Sequence, residues 1–363
     1  MDIVPPQTND TKVLIVSAMF PLTKSKHSTK DYEDWLTRFL GEITTDIYMF
    51  TTPDLADTLR RSRGDLSITI DTTYSSPFEI PPLRGIEETY VRMNNMDKEK
   101  WHHSPGLYAV WNAKPYLLKT AVRNLRAKGE IYDYAFWNDA GSFRRHHRYH
   151  EWPNPGRVEQ IFEEGSRLTG TQKQDLMFMP IFQLPDAKLK HWQEEMGPIA
   201  NSVQFSEGSF FGGTQETIEW FSRVFYAYHS HYLSLGHFVG IDQDIFNSLF
   251  LLFPDRFFTV WMNDPTAPAH RGITPSPSLV PSLEAGFLGE CGPEWFYYQF
   301  WLADRPTRDI MRAIWIKEQR WRLSGWWEER KLCRMTHASS MLHILRTSFG
   351  KDWSSPYKKL IPV

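Results

Sequence analysis

Residues 132–150, YDYAFWNDAGSFRRHHRYH, put one acid at the end of an apolar run and a block of three arginines and three histidines directly after it. Side chains of this kind suit a particular chemistry. A diphosphate leaving group carries concentrated negative charge, and enzymes that transfer a group from it commonly neutralise that charge with a divalent cation held by carboxylates. Asp139, between Asn138 and the small pair Ala140-Gly141, is the candidate carboxylate. Arg144, Arg145, His146, His147, Arg148 and His150 are candidates for a phosphate cradle, the arginines foremost because their fork matches phosphate oxygens. The structural alternative is a solvated basic loop with Asp139 capping a turn.

Other residues with chemical potential are scattered. Gly212-Gly213 stands before Thr214 in SFFGGTQETIEW, a junction where the chain can bend tightly, a ligand can touch backbone and Thr214 can cap a helix. Asp242 and Asp244 flank Gln243 in FVGIDQDIFN, where either acid can start a helix. Lys114 lies in WNAKP, and its alternative is an ordinary surface lysine. His270, in the proline-rich NDPTAPAHRG, and His237, just before the second helix, have the simple role of surface or core histidines.

The elements that must position these groups are readable from periodicity. Residues 12–20, 46–52, 66–73 and 132–139 read as strands, and 31–43, 53–63 and 108–126 as helices, the last kinked near Pro115. A short helix is expected around 95–101, and further helices after Gly213 and from Asp242 to Pro254. Such alternation predicts βαβ units and a mostly parallel sheet, whose ligands sit beyond the carboxyl ends of the strands. Asp139 falls at such an end.

Composition narrows the field. The chain has 363 residues, 41% hydrophobic and 23% charged, enough for a large core. A net charge of −2 provides no global field for nucleic acid or anionic lipid, so the basic block points to a local anion. Apolar runs such as 13–20 fall short of the ~20 residues that span a bilayer, which predicts a soluble chain with no membrane span. The N-terminal residues lack a signal-peptide pattern, although Asn9 opens a glycosylation sequon. An anchor beyond this sequence would imply a secretory-pathway (Golgi) lumen, and otherwise the location is cytoplasmic. Cys291 and Cys333 have no metal-ligand spacing and stand as two thiols or one bridge. The region after 285 mixes aromatic and charged residues, is partly helical over 307–322, and offers Trp326 and Trp327 for stacking on a glycan or for internal packing.

The order of these parts, a strand ending in W-x-D-A-G, an upstream W-N-x-K-P helix, F-x-G-G-T and then D-Q before an apolar helix, resembles the nucleotide-sugar glycosyltransferases of the GT-A fold, nearest to the HtrL/YibB-like group, over roughly residues 12–260. The resemblance implies a GT-A-like α/β catalytic domain over 12–285, with a nucleotide-binding half (12–145) and an acceptor half (146–285). A flexible N-terminus (1–11) and a helical C-terminal extension (286–363) complete the expected organisation. It implies Mn²⁺ or Mg²⁺, with Asp139 as the single retained metal ligand and His270, or its rival His237, a second. Asn138, Asp139, Arg144, Arg145 and Lys114 would contact the donor, a nucleotide diphosphate sugar. Gly212, Gly213, Thr214 and Gln243 would line the donor-sugar and acceptor cleft. Asp242 would bind a sugar hydroxyl with Gln243 or, if the reaction inverts the anomeric centre, act as the general base. This sequence has Asn138 where the family motif begins with an acid, which keeps a metal-independent variant open. The expected activity is transfer of a sugar, UDP-linked in the first instance, to a hydroxyl of a glycan or small-molecule acceptor. An inactive scaffold of the same fold, or a nucleotide-sugar hydrolase, is the alternative.

Overall fold

Strand β1 (Val13–Met19) sends Val13 and Ile15 into one core and Leu14 and Val16 into another. A strand buried on both faces belongs inside a sheet covered by helices on both sides. The computed structural model describes residues 11–22, 24, 27–200, 205–261, 296–319 and 337–361. Asn9, His270, Cys291, Trp326, Trp327 and Cys333 lie outside the described residues.

From β1 the chain passes through α1 (Thr29–Glu42), β2 (Asp46–Thr51), α2 (Pro53–Arg63) and β3 (Ile68–Asp71), then α3 (Glu87–Met93), α4 (Pro105–Ala127) and β4 (Tyr134–Asn138). It continues through α5 (Pro155–Thr169), β5 (Met177–Phe178), β6 (Phe210–Gly213), α6 (Gln215–Ser234), α7 (Asp242–Leu252) and β7 (Phe257–Val260). The last described elements are α8 (Tyr298–Trp301), α9 (Arg305–Gln319), β8 (Ala338–Ser340) and α10 (Met341–Phe349). The strands lie in the order β3-β2-β1-β4-β6-β5-β7-β8. Pairs β1–β2, β2–β3, β1–β4 and β5–β7 are parallel, whereas β6 runs antiparallel to both neighbours and β8 to β7. This is the mostly parallel, helix-flanked sheet expected from the sequence. Because β2 lies on one side of β1 and β4 on the other, the strand order reverses there, and the crevice at the carboxyl ends of β1 and β4 is where such a sheet takes a ligand.

Local chemistry explains the elements near that crevice. Ser28 caps α1 by accepting the Asp31 amide at 3.2 Å, and the Asp31 carboxylate accepts the Ser28 amide at 3.0 Å, a reciprocal capping box. Buried Arg63, at the end of α2, collects the carbonyls of Leu40, Ile43, Thr45 and Ser67 and so ties down the open end of α1. Pro115 sits inside α4, and there the ladder is interrupted by a side chain. Tyr116 donates its amide to the Tyr226 hydroxyl at 3.2 Å, and that hydroxyl donates to the Asn112 carbonyl at 2.7 Å, bridging the bond the helix would have made directly.

Two local expectations change, and three further strands join the sheet. The short helix lies earlier than 95–101, as α3, because Asp97 turns the chain by accepting the Glu99 amide at 2.8 Å and the Tyr108 hydroxyl at 2.5 Å. Gly212 and Gly213 are not a bend but the last residues of β6. Strands β5, β7 and β8, two to four residues long, are too short to show a period of their own.

Candidate active site

Alternate residues of a strand share a face, so β4 sends Trp137 and Asp139 to the side covered by α4, α6 and α7. The Trp137 indole N–H donates to Asp139 Oδ1 at 2.6 Å, and the Asp139 amide donates to the Ser209 carbonyl at 2.9 Å. Asn138 goes to the other face. It is fully buried, and its Oδ1 accepts the Ser142 hydroxyl at 3.1 Å. The amide that stands in place of a second acid therefore organises the turn after β4 and does not join the Asp139 carboxylate.

Helix α4 brings Lys114 to that carboxylate. Its Nζ lies 3.2 Å from Asp139 Oδ1 and 3.0 Å from Asp242 Oδ2, forming an ion pair with each acid, and donates to the Gly208 carbonyl oxygen at 3.0 Å. Lys114 is not the surface lysine of the simpler reading: its side chain is 3% exposed. Asp242 is the first residue of α7, where the helix N-terminus favours a carboxylate, and its Oδ1 accepts the Gln243 amide at 3.0 Å. The Gln243 side chain donates to the Ser206 carbonyl and straps residues 205–209 to α7. Asn112 donates to the carbonyls of Val239 and Gly240 at 2.9 and 3.2 Å, holding the entry to α7 against α4. The W-N-x-K-P segment thus positions Asp242 through Asn112 and joins it to Asp139 through Lys114.

A third acid, missed in the sequence, completes the cluster. Glu207 is buried just before β6; its Oε1 accepts the Ser209 amide at 3.0 Å, and its Oε2 has no hydrogen-bond partner among the described residues. Burial pushes its carboxyl up to about 7, against the bonds from Ser209 and with a further push from Asp139. Burial likewise raises Asp242, and although Lys114 opposes this, the carboxyl is pushed up to about 6. For Lys114, burial favours the neutral amine, but Asp139 and Asp242 outweigh it and hold the ammonium above the usual lysine value. Asp139 is the accessible acid, with its side chain 34% exposed, while that of Asp242 is 4% exposed.

The remaining predicted residues divide. Arg144 is exposed close to Asp139: its Nε donates to the Gly141 carbonyl at 3.2 Å, and its guanidinium lies 4.5 Å from the centre of the Trp35 ring. Arg145 and His146 are exposed, with no bond to the acids among the described residues. His147 is buried against Phe143 and Tyr149, and burial lowers it to about 4, so it stays neutral. His150 bonds the Glu42 carbonyl at the end of α1. The basic block is therefore not one cradle. Gly212 and Gly213 lie within the sheet, paired with Phe136 and Ala135, because β6 runs away from the site. A Cβ on Gly212 would stand 2.2 Å from the Ala135 carbonyl oxygen, so close strand packing accounts for the glycine. Thr214 occupies the N-cap position of α6, but its hydroxyl donates to the Gln174 carbonyl at 3.0 Å. His237 packs edge-on to Tyr232, with no bond to the acids among the described residues.

Asp139 and Asp242 already share the Lys114 ammonium, and among the described residues, which leave out His270, no group of three His, Cys, Asp or Glu side chains could hold a metal. Two cavities, of about 510 and 500 Å³, lie elsewhere, by Lys12, Asp46 and Tyr132 and by Tyr48, Asp71 and Asn124. Charge and topology, rather than enclosure, mark the site. Among the described residues no helix is long and apolar enough to cross a membrane.

No protein-family model matches the sequence, and no curated protein matches it. Among solved structures the chain is similar to mouse xyloside xylosyltransferase 1 in its apo form (8% identity, TM-score 0.38, 69% of this chain and 84% of that one). It is also similar to core-mannan synthase A from Aspergillus fumigatus in an Mn/GDP form (12% identity, TM-score 0.40, 70% and 73%). A third likeness is to CMP:2-keto-3-deoxy-manno-octonic acid synthetase complexed with CTP (10% identity, TM-score 0.31, 69% and 90%).

Proposed function

We propose that the protein is a glycosyltransferase of the HtrL/YibB-like kind, moving a sugar from a nucleoside diphosphate sugar, UDP-linked in the first instance, to a hydroxyl of a glycan or other acceptor. One observation carries the reading. Asp139 presents a partly exposed carboxylate at the carboxyl end of β4, at the switch in strand order, and a buried Lys114–Asp242 pair holds it from behind.

Arg144, exposed beside it, offers a planar fork to the diphosphate, where it would stabilise the charge that develops as the sugar leaves. Asp139 is the carboxylate a hydroxyl can reach, and in this reading it accepts the acceptor proton. Asp242, covered by its neighbours, keeps Asp139 in place through Lys114 rather than acting as the base itself. Trp137 fixes one oxygen of Asp139, so the carboxylate is oriented before substrate arrives.

The test is incubation with a panel of nucleotide sugars and glycan acceptors, with products read by mass spectrometry and binding by thermal shift. A donor at a hundred times its dissociation constant should stabilise the fold by about 2.7 kcal/mol. A glycosylated product supports the transferase. Free sugar would make the protein a hydrolase, a shift without product a scaffold, and absence of both would remove the donor-site reading.

A further inference from the structure

We propose that the Lys114 ammonium is the resident cation of this site, standing where a divalent ion would stand, so that the nucleotide donor binds without metal. The proposal rests on the donor-site reading above and adds to it the identity of the positive charge.

The surroundings of Nζ are those of a hard-cation site: two carboxylates from different elements and one backbone carbonyl, at 3.2, 3.0 and 3.0 Å. They are already filled. The carbonyl belongs to Gly208, where a Cβ would stand 2.9 Å from the Gln243 Cγ, so this segment lies close against the side chains that open α7. Lys114 itself is held in a helix whose neighbouring turn is tied to residues 239–240 by Asn112. The ammonium therefore cannot swing out without giving up two ion pairs and the Gly208 bond and leaving Asp242 buried and unpaired.

The charge balance points the same way. Asp139 and Asp242 supply two carboxylates, and the Lys114 ammonium lies between them. A divalent ion would have to displace a charge of the same sign to reach the same oxygens. Arg144, which has no carboxylate bond among the described residues, is left to meet the diphosphate.

The experiment uses the whole protein. Binding of Mn²⁺ alone is followed by electron paramagnetic resonance, and affinity for uridine diphosphate by calorimetry in EDTA and in Mn²⁺. We expect the wild type to take up no stoichiometric Mn²⁺ and its uridine diphosphate affinity to agree within about twofold between the two buffers. Lys114→Ala, which leaves the three oxygens and empties the space between them, should gain Mn²⁺ binding. Stoichiometric Mn²⁺ on the wild type, an affinity about tenfold or more higher in Mn²⁺, or a folded Lys114→Ala that takes up no Mn²⁺ would each overturn the proposal. Should Lys114→Ala fail to fold, the wild-type titration decides by itself. Failure to bind uridine diphosphate in either buffer would overturn the donor-site reading instead, and the Mn²⁺ titrations would still decide the cation.

Discussion

Trp137 in β4 and Asp139, the first residue past its end, are joined by an indole N–H···Oδ1 bond of 2.6 Å, so the strand itself aims the carboxylate. Trp137→Phe keeps most of the buried ring and removes only the donor. We expect a stability loss of about 1 kcal/mol in urea titration and a larger proportional loss of turnover, since a bond to a charged group also sets its orientation. Unchanged turnover would show that Asp139 needs no such aiming.

Lys114 and Asp242 should be energetically coupled. Lys114→Met leaves a buried carboxylate without its counter-charge and should cost about 3–5 kcal/mol, whereas adding Asp242→Asn should recover part of that loss. A double-mutant cycle by denaturant unfolding should give a coupling of about 1–3 kcal/mol, and a coupling near zero would show that the pair does not operate as one unit.

Glu207 should make the fold less stable as pH rises. Its carboxyl binds a proton more tightly in the folded protein than in the unfolded chain, so the stability is fully present below 4.5 and is lost as pH rises to about 7. The difference between those values corresponds to about 3 kcal/mol. Asp242, raised to about 6, acts in the same direction at lower pH. Thermal unfolding of Glu207→Gln against wild type should show little difference at pH 4 and a gain for the variant at pH 8. A variant less stable than wild type at both would contradict the assignment.

Gly212→Ala should fail by packing rather than by ligand loss. Its Cβ would meet the Ala135 carbonyl oxygen at 2.2 Å, backbone against backbone in the middle of the sheet. We expect a loss of at least about 3 kcal/mol, or insoluble protein. A well-folded Gly212→Ala that no longer binds donor would return this glycine to the ligand role expected from its sequence neighbourhood.

Much of the frame was readable in the residues themselves. Val13 to Val16 alternate between two cores within four residues, and β1 to β4 with their helices fall close to the expected positions, because the periods of strands and helices are local properties. The place of Asp139 at a strand end followed from the same local pattern. Beyond it, the spacing of residues lost its power. Asn138 and Asp139 are neighbours in sequence yet face opposite sides of the sheet, and the block from Arg144 to His150 divides between solvent and core.

Other features depended on which distant segments meet. Gly212-Gly213 resembles a ligand loop until β6 is seen packed between β4 and β5. Glu207 had no motif to announce it; the antiparallel entry of β6 and the Gln243 strap bring it to the cluster. The sequence by itself determined the α/β alternation and the position of Asp139, since both arise from contacts within a few residues. Only the tertiary structure decided that Lys114 is buried between Asp139 and Asp242, because three separate elements must pack together before an ammonium can find all three of its oxygens.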